Sequence, residues 1–401
     1  MSYFSKLWVS FISISNVLNK LLAFLFFVFL ARLISTEDYG SFRYALTIAT
    51  FFIIPISGIP FAMTRYVGKY ISEPELAANY LFNSLVLGLS ILISIIFLAY
   101  FIFDGSLFLI LIITSMAIDA FYIAYANAYL IYSKMCLYKV IANFFQCVFL
   151  FFLFLYGEVD LFLVFLIFSF SGVLSIFLLE LTHKKTLLIS KISYISLVRL
   201  FKFSVPATLG AVGWTVMFGV NAIWIKFFYE IESFAYFSAG ETFAQIFAIV
   251  PTAFASIILP KHSAFKQRSE TVKPLYYAIF STIAVSVFMV IPFIIAPDFI
   301  VNITFGSSYQ KTTEVLIPLI LSIIFISIHT LFAQTMFAFN QTKLPMFSMV
   351  SGAMANVFIG YFLTKNYGML GTSYSLMISC FISLIILFLT YHFYFLKKFN
   401  K

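Results

Sequence analysis

Long stretches with hardly a charge follow one another along this chain almost end to end. A helix that crosses a bilayer needs about 20 mostly apolar residues, and few other structures use such a pattern. Of the 401 residues, 63% are hydrophobic and 10% charged, with a mean hydropathy of +1.07. A soluble fold has no room to hide that much apolar surface, because more than half of even a soluble surface is already apolar. The expected class is an all-α integral membrane protein. Twelve spans are expected, at about 9–34, 42–64, 78–103, 106–132, 136–156, 159–181, 203–228, 233–259, 274–300, 313–339, 343–364 and 369–395. The first is too long for a cleaved signal and no small-residue cleavage site closes it.

Charge placement orients the chain. Of the 24 Lys and Arg residues, Lys20 falls inside the first span, and Arg32, Arg43, Lys226, Lys311 and Lys365 fall at one set of span ends. The other eighteen collect at the opposite ends, which positive-inside bias assigns to the cytoplasm together with both termini. The net charge of +9 is thus a topology signal, not a nucleic-acid footprint. Cys136, Cys147 and Cys380 lie in or near spans without metal-ligand spacing or a pairing pattern.

The longest polar stretch inside the chain, HKKTLLISKISYISLVRLFK, falls near the midpoint. It divides the sequence into a six-helix bundle at 1–182, a basic cytoplasmic linker at 183–202 and a second six-helix bundle at 203–401. An even number of spans per half predicts bundles related by a pseudo-two-fold axis along the membrane normal. An internal echo agrees: STEDYGSFRYAL follows the first span and EIESFAYFSAGE the seventh. A shift of 195 residues aligns Glu37 with Glu232, Tyr39 with Phe234, Gly40 with Ala235 and Phe42 with Phe237.

The loops are short, and no pair of carboxylates stands in one long enough to build an aqueous catalytic site. No GxxxxGK[ST] stretch offers a nucleotide site. The chain is read as a non-enzyme, with no metal and no bound cofactor.

Polar residues inside the spans are the candidates for function, since a charge near the bilayer centre costs roughly 2.5–3.5 kcal/mol on insertion scales. Lys20 leads. At 100° per residue it shares a face with Ser13 and Asn16, with Asn19 beside them, and the nearer interface is about 15 Å away at 1.5 Å per residue. That pattern suits a wall lining a polar cavity. Asp119 shares a face with Ser115 and Tyr122, and is expected to be a counter-charge to Lys20, a proton carrier or a structural acid. Glu241, with Gln245 one turn on, and His329, with Ser322 and Asn340, complete the set. Asp119, Glu241 and His329 are the ion-coupling candidates. In the seventh span, Pro206, Gly210 and Gly213 form a stripe that invites a bend or close packing.

The run ARLISTEDYGSFRYALTIATFFIIPISGIPFAMTRYV resembles the opening of polysaccharide exporters and flippases of the multidrug/oligosaccharidyl-lipid/polysaccharide superfamily. The matching positions are Ala31, Arg32, Glu37, Gly40, Gly58, Pro60 and Arg65. LFKFSVPATLG, ILPKHS, TFGSSYQKTTEVLIPLI, FNQTKLP and NYGMLGTSYSL continue the likeness in order. Asn221 departs from it, standing where many members carry an acidic residue, which puts ion coupling at that position in doubt.

The resemblance implies a flippase of the bacterial inner membrane for an undecaprenyl-pyrophosphate-linked oligosaccharide, such as the O-antigen repeat unit of lipopolysaccharide. Transport would run from the cytoplasmic to the periplasmic leaflet by alternating access, with H⁺ or Na⁺ as coupling ion. Its partners would be the lipid-linked substrate, membrane lipids, a polysaccharide polymerase and a chain-length regulator. Physically, Lys20 suits the pyrophosphate. Ser13, Asn16, Asn19, Tyr122, Gln245 and Asn340 suit the sugars, and Arg65 suits phosphate capture at the inner mouth. An inside-negative potential favours outward anion movement by about 2.3 kcal/mol per charge per 100 mV. The rivals are a multidrug exporter of the same superfamily, which needs an acidic cavity, a peptidoglycan-precursor flippase, which usually has more than twelve helices, and a membrane-embedded polymerase or acyltransferase.

Overall fold

The computed structural model describes residues 3–103, 106–129, 131–156, 160–182, 190–263, 265, 267–339 and 341–396, and most of the side chains from Ile14 onward. The described residues are almost all helical, without strands: α1 (Tyr3–Leu33), α2 (Thr36–Lys69), α3 (Pro74–Ile102), α4 (Leu107–Ala128), α5 (Tyr132–Tyr156), α6 (Leu161–Thr182), α7 (Tyr194–Phe228), α8 (Ile231–Ala244), α9 (Ile249–Ser263), α10 (Val272–Ile295), α11 (Pro297–Thr304), α12 (Thr313–Ala338) and α13 (Lys343–Thr390).

Among the described residues, ten helices are long and apolar enough to cross a membrane. α13 is two of the expected spans joined at Gly368, where φ is +61° and ψ −144°. Only glycine adopts that backbone freely, so the helix stops and restarts there. α8 and α9 are separately too short, but together cover the expected eighth span, interrupted by a 3-10 turn at Gln245–Ala248. Pro251 lies just beyond that turn; its missing N–H leaves the Phe247 carbonyl without its usual i+4 donor, and its ring crowds the preceding turn. Counted this way, the ten become the twelve that the sequence predicts. The expected 274–300 span is shorter, because Ala296 leaves the helical conformation and Pro297 starts α11.

Two compact units emerge. Residues 1–44 pack with 216–401, and residues 45–215 form the other; α7 runs from one into the other. In the first unit α12 is the central helix, with 72% of its apolar window buried, against 22–39% for the other spans. Its Leu319, Ile320 and Ile323 join Phe234, Phe237, Ile225 and Leu376 in one core, and Leu331, Phe332 and Met336 join Ile258, Leu275 and Tyr391 in another. In the second unit Met63, Val67, Tyr80, Leu81, Tyr125 and Leu200 form the core.

Lipid offers no hydrophobic drive between helices, so close packing through small residues holds spans together. Gly58, in the family-like GxP segment, lies against α7: a Cβ there would stand 2.1 Å from the Ser204 carbonyl oxygen. Gly40 lies against α8, where a Cβ would stand 2.6 Å from the Ile231 oxygen and 3.3 Å from Ala235 Cβ. Gly40 and Ala235 are the residues that the 195-residue shift pairs. Arg43 Nη2 donates to the carbonyl of Ser238, again 195 residues on, at 3.5 Å. Contact between equivalent residues is what a local two-fold produces, as in an isologous interface. Nearby, Arg32 donates to the Asn302, Ile303 and Thr304 carbonyls, placing a cation at the C-terminal, negative end of α11.

Candidate functional site

Lys20 stands opposite the break between α8 and α9. Its Nζ donates to Thr252 Oγ1 at 2.7 Å and to the Ala248 carbonyl at 3.3 Å. Thr252 in turn donates its hydroxyl proton to Ala248, which orients its lone pairs toward the ammonium. The interrupted helix thus presents a carbonyl and a hydroxyl at membrane depth, where broken backbone is tolerated only if other groups satisfy it. Asn16, Val17, Ile249 and Ala253 line the rest of this crevice, so the predicted Asn16–Lys20 face is brought onto one site. The crevice is too narrow for a water molecule, not the polar cavity expected from the sequence, because α1 lies directly on α9. Among the described residues Lys20 has no carboxylate partner. Ser13 lies in α1 ahead of the described side chains, and Asn19 is partly exposed beside the crevice.

The two intramembrane carboxylates have found cations elsewhere. Asp119 Oδ2 accepts from Lys139 Nζ at 2.8 Å, so its counter-charge is Lys139, one helix on, and not Lys20. Lys139 itself, counted from the sequence with the inner loops, lies inside α5. Glu241 Oε2 stands 3.6 Å from Arg43 Nη2. The Arg43 guanidinium also lies 4.4 Å from the Phe27 ring centre, a cation–π contact. The segment echo around residues 43 and 238 was the sequence signal that could have found this pair.

The remaining candidates are dispersed. His329 is buried in α12 with Nε2 2.8 Å from Ser348 Oγ. Ser348 spends its hydrogen on the Pro345 carbonyl, so the ring nitrogen is the donor, and His329 is tied into a structural contact between α12 and α13. Gln245 is exposed in the 3-10 turn and does not line the Lys20 crevice. Asn340 lies outside the described residues. Tyr122 donates to the Ile176 carbonyl at 3.0 Å and Arg65 is exposed at the end of α2; both belong to the 45–215 unit, whereas Lys20 belongs to the other.

Asn221, at the position that departs from the family pattern, is fully buried. Its Nδ2 donates to Phe218, and its Oδ1 accepts from Asn356 at 2.9 Å, while Asn356 also donates to Met217 and accepts from Ser375. This is a neutral network whose hydrogen-bonding capacity is spent inside the protein. Sequence reasoning assigned Asn356 no role in the site. Among the described residues no group of three His, Cys, Asp or Glu could hold a metal.

The comparisons give the chain a family and a fold. The family described as polysaccharide biosynthesis protein matches residues 8–266. A search of curated proteins finds no match. Among solved structures, the lipid II flippase MurJ in an inward closed conformation superposes with a TM-score of 0.79 at 17% identity, covering 94% of this chain and 87% of that one. An inward-facing multidrug resistance transporter of the MATE family superposes with a TM-score of 0.74 at 15% identity over 96% of each. A transporter of the same MOP superfamily from Pyrococcus furiosus gives 0.65 at 14% identity, over 95% of this chain and 94% of that one. The neighbours are transporters and flippases of one helical fold, and the chain itself belongs to the polysaccharide biosynthesis protein family.

Proposed function

We propose that the protein is a flippase that carries an undecaprenyl-pyrophosphate-linked oligosaccharide from the cytoplasmic to the periplasmic leaflet of the bacterial inner membrane, by alternating access and with both termini in the cytoplasm. One observation carries the reading: an ammonium at membrane depth that, among the described residues, is held by two uncharged oxygens. Dipoles fix its position without cancelling its charge, so it still attracts a pyrophosphate brought to it in a low-dielectric setting. The family supplies the context of polysaccharide synthesis, and the fold is one that a lipid II flippase also uses.

The same fold also serves a multidrug transporter, which is the alternative. Cargo of positive charge would want an uncompensated carboxylate in the membrane. Asp119 and Glu241 are each matched with a cation, which favours the anionic cargo. The membrane potential supplies a driving force for such cargo, and coupling to H⁺ or Na⁺ would add to it.

Deleting the gene tests the reading. The deletion strain is expected to accumulate lipid-linked repeat units on the cytoplasmic leaflet, where labelled lectin or periplasmic ligase has no access. Repeat units appearing outside but unpolymerised would point to a polymerase, and undiminished surface polysaccharide would remove the flippase reading.

A further inference from the structure

The 45–215 unit carries a feature that the Lys20 site does not use. At the basic end of its helices three exposed cations surround a stack of aromatic rings. Tyr80 stacks between Tyr66, at 5.0 Å and 13°, and Tyr70, at 5.4 Å and 4°. Arg199 Nη1 donates to the Tyr80 hydroxyl at 3.0 Å. The Arg65 guanidinium lies 4.6 Å from the Phe203 ring centre and Lys69 Nζ 4.8 Å from that of Tyr70. None of the three forms an ion pair among the described residues. The nearest acidic side chains in sequence, Glu73 and Glu75, are exposed at the start of α3. Tyr80 is buried, so its ring face is not free for a sugar. The cations around it are free for an anion.

Directly beneath this patch lies an apolar cavity of about 240 Å³ between α2, α3 and α4. Met63, Leu81, Leu85, Phe121 and Tyr125 line it, and these belong to the same apolar cluster as Tyr66, Tyr70, Tyr80 and Phe203. The cavity and the basic patch therefore share one wall. Gly88 is essential to its shape, because a Cβ there would stand 2.1 Å from the Phe121 ring. Along α3 the lining runs from Leu81 to Leu92, about 16 Å at 1.5 Å per residue. An apolar cavity of about 150 Å³ already takes benzene and stays dry. The open side lies between Leu89 and Ile118, the two exposed residues of the lining, in helices built to face lipid.

We infer that this is a binding site for a single-chain lipid phosphate, in which Arg65, Lys69 and Arg199 hold the phosphate and the groove from Leu81 to Leu92 holds the first part of the hydrocarbon chain. One groove beneath one cationic patch matches a polyprenyl phosphate better than a two-chain phospholipid. The identity of the chain rests on the flippase reading; the geometry of the site does not. The site lies in a different compact unit from Lys20.

The test uses the purified full-length protein in detergent and a photoreactive undecaprenyl phosphate with a diazirine near its phosphate end. Labelling is expected on α3 and α4 around Leu89 and Ile118. It is expected to fall at least tenfold both in Arg65→Gln/Arg199→Gln and in Ala117→Leu, which fills the groove without touching the cations. Competition by unlabelled undecaprenyl phosphate should exceed that by undecaprenol or phosphatidylglycerol at least tenfold. Equal competition by undecaprenol would strip the cations of their role, and equal competition by phosphatidylglycerol would replace the polyprenyl occupant with ordinary membrane lipid. Unchanged labelling in Ala117→Leu would overturn the groove, and labelling confined to α1 and α9 would move the phosphate to Lys20. If the deletion strain exports polymer normally while labelling follows expectation, the flippase reading fails and the lipid site stands.

Discussion

Lys20 and Lys139 both lie within spanning helices, and their surroundings are opposite. Lys139 on α5 meets Asp119 of α4 at 2.8 Å, with both side chains about three-tenths exposed. Lys20 on α1 meets a threonine hydroxyl and a backbone carbonyl. The first pair is worth about 4 kcal/mol of Coulomb attraction at 4 Å and an effective dielectric of 20, reduced by its partial exposure, and leaves no net charge. Hydrogen bonds from a charged group contribute about 1.5–3 kcal/mol each, enough to offset the roughly 2.5–3.5 kcal/mol insertion cost of Lys20 while leaving its charge uncancelled. A neutralised charge in a membrane holds helices together; a charge solvated only by dipoles remains available to a passing anion. On the proposed reading, α4–α5 serves architecture and α1–α9 serves transport.

The comparison breaks most decisively at Lys20. Lys20→Ala is expected to abolish export of the surface polymer, a loss of about 100-fold or more if the phosphate contact is worth about 3 kcal/mol, and Lys20→Arg to retain part of it. Quantifying surface polysaccharide at matched protein levels checks this, and normal polymer from the alanine variant would remove Lys20 from the mechanism.

Next in size is the pair on α4 and α5. Asp119→Asn strands the Lys139 ammonium and should cost about 1–2 kcal/mol of stability, less than the 3–5 kcal/mol for a fully buried pair, read as a lower thermal midpoint in detergent. Asp119→Asn/Lys139→Gln should recover most of that loss and keep export. A stable double variant without export would make Asp119 an ion carrier after all, and the contrast between the two lysines would dissolve.

The smallest effect is expected at Thr252. Thr252→Val removes one acceptor from the ammonium and should cost about 0.5–1.5 kcal/mol, a reduction in export of less than about tenfold. Combined with Lys20→Ala it should add nothing, as expected of two groups acting through one contact. An additive loss would show that Thr252 works on its own.

The outline of the molecule was legible in the sequence because membrane spans are a one-dimensional signal. Length and hydropathy mark each span, and Lys and Arg mark the sides. Twelve spans were predicted, and the described helices supply them once Gly368 and the turn after Ala244 are recognised as breaks. Lys20 and Asn16 were placed on one face by 3.6-residue periodicity alone, and they line one crevice. The Gly40 and Gly58 positions of the family-like run were also visible, although what they approach was not.

Partnership was decided only by the tertiary structure. Asp119 had three readings and Lys139 was counted among the inner-loop charges, since nothing in one dimension says that residues twenty apart on neighbouring helices meet head to head. Arg43 and Glu241 lie nearly 200 residues apart and join because α2 crosses α8 where Gly40 allows close approach. Likewise the crevice at Lys20 depends on a carbonyl from a helix 228 residues away. Hydropathy is a property of each residue and can be read along the chain; the compensation of a charge is a property of a pair, and only packing brings the pair together.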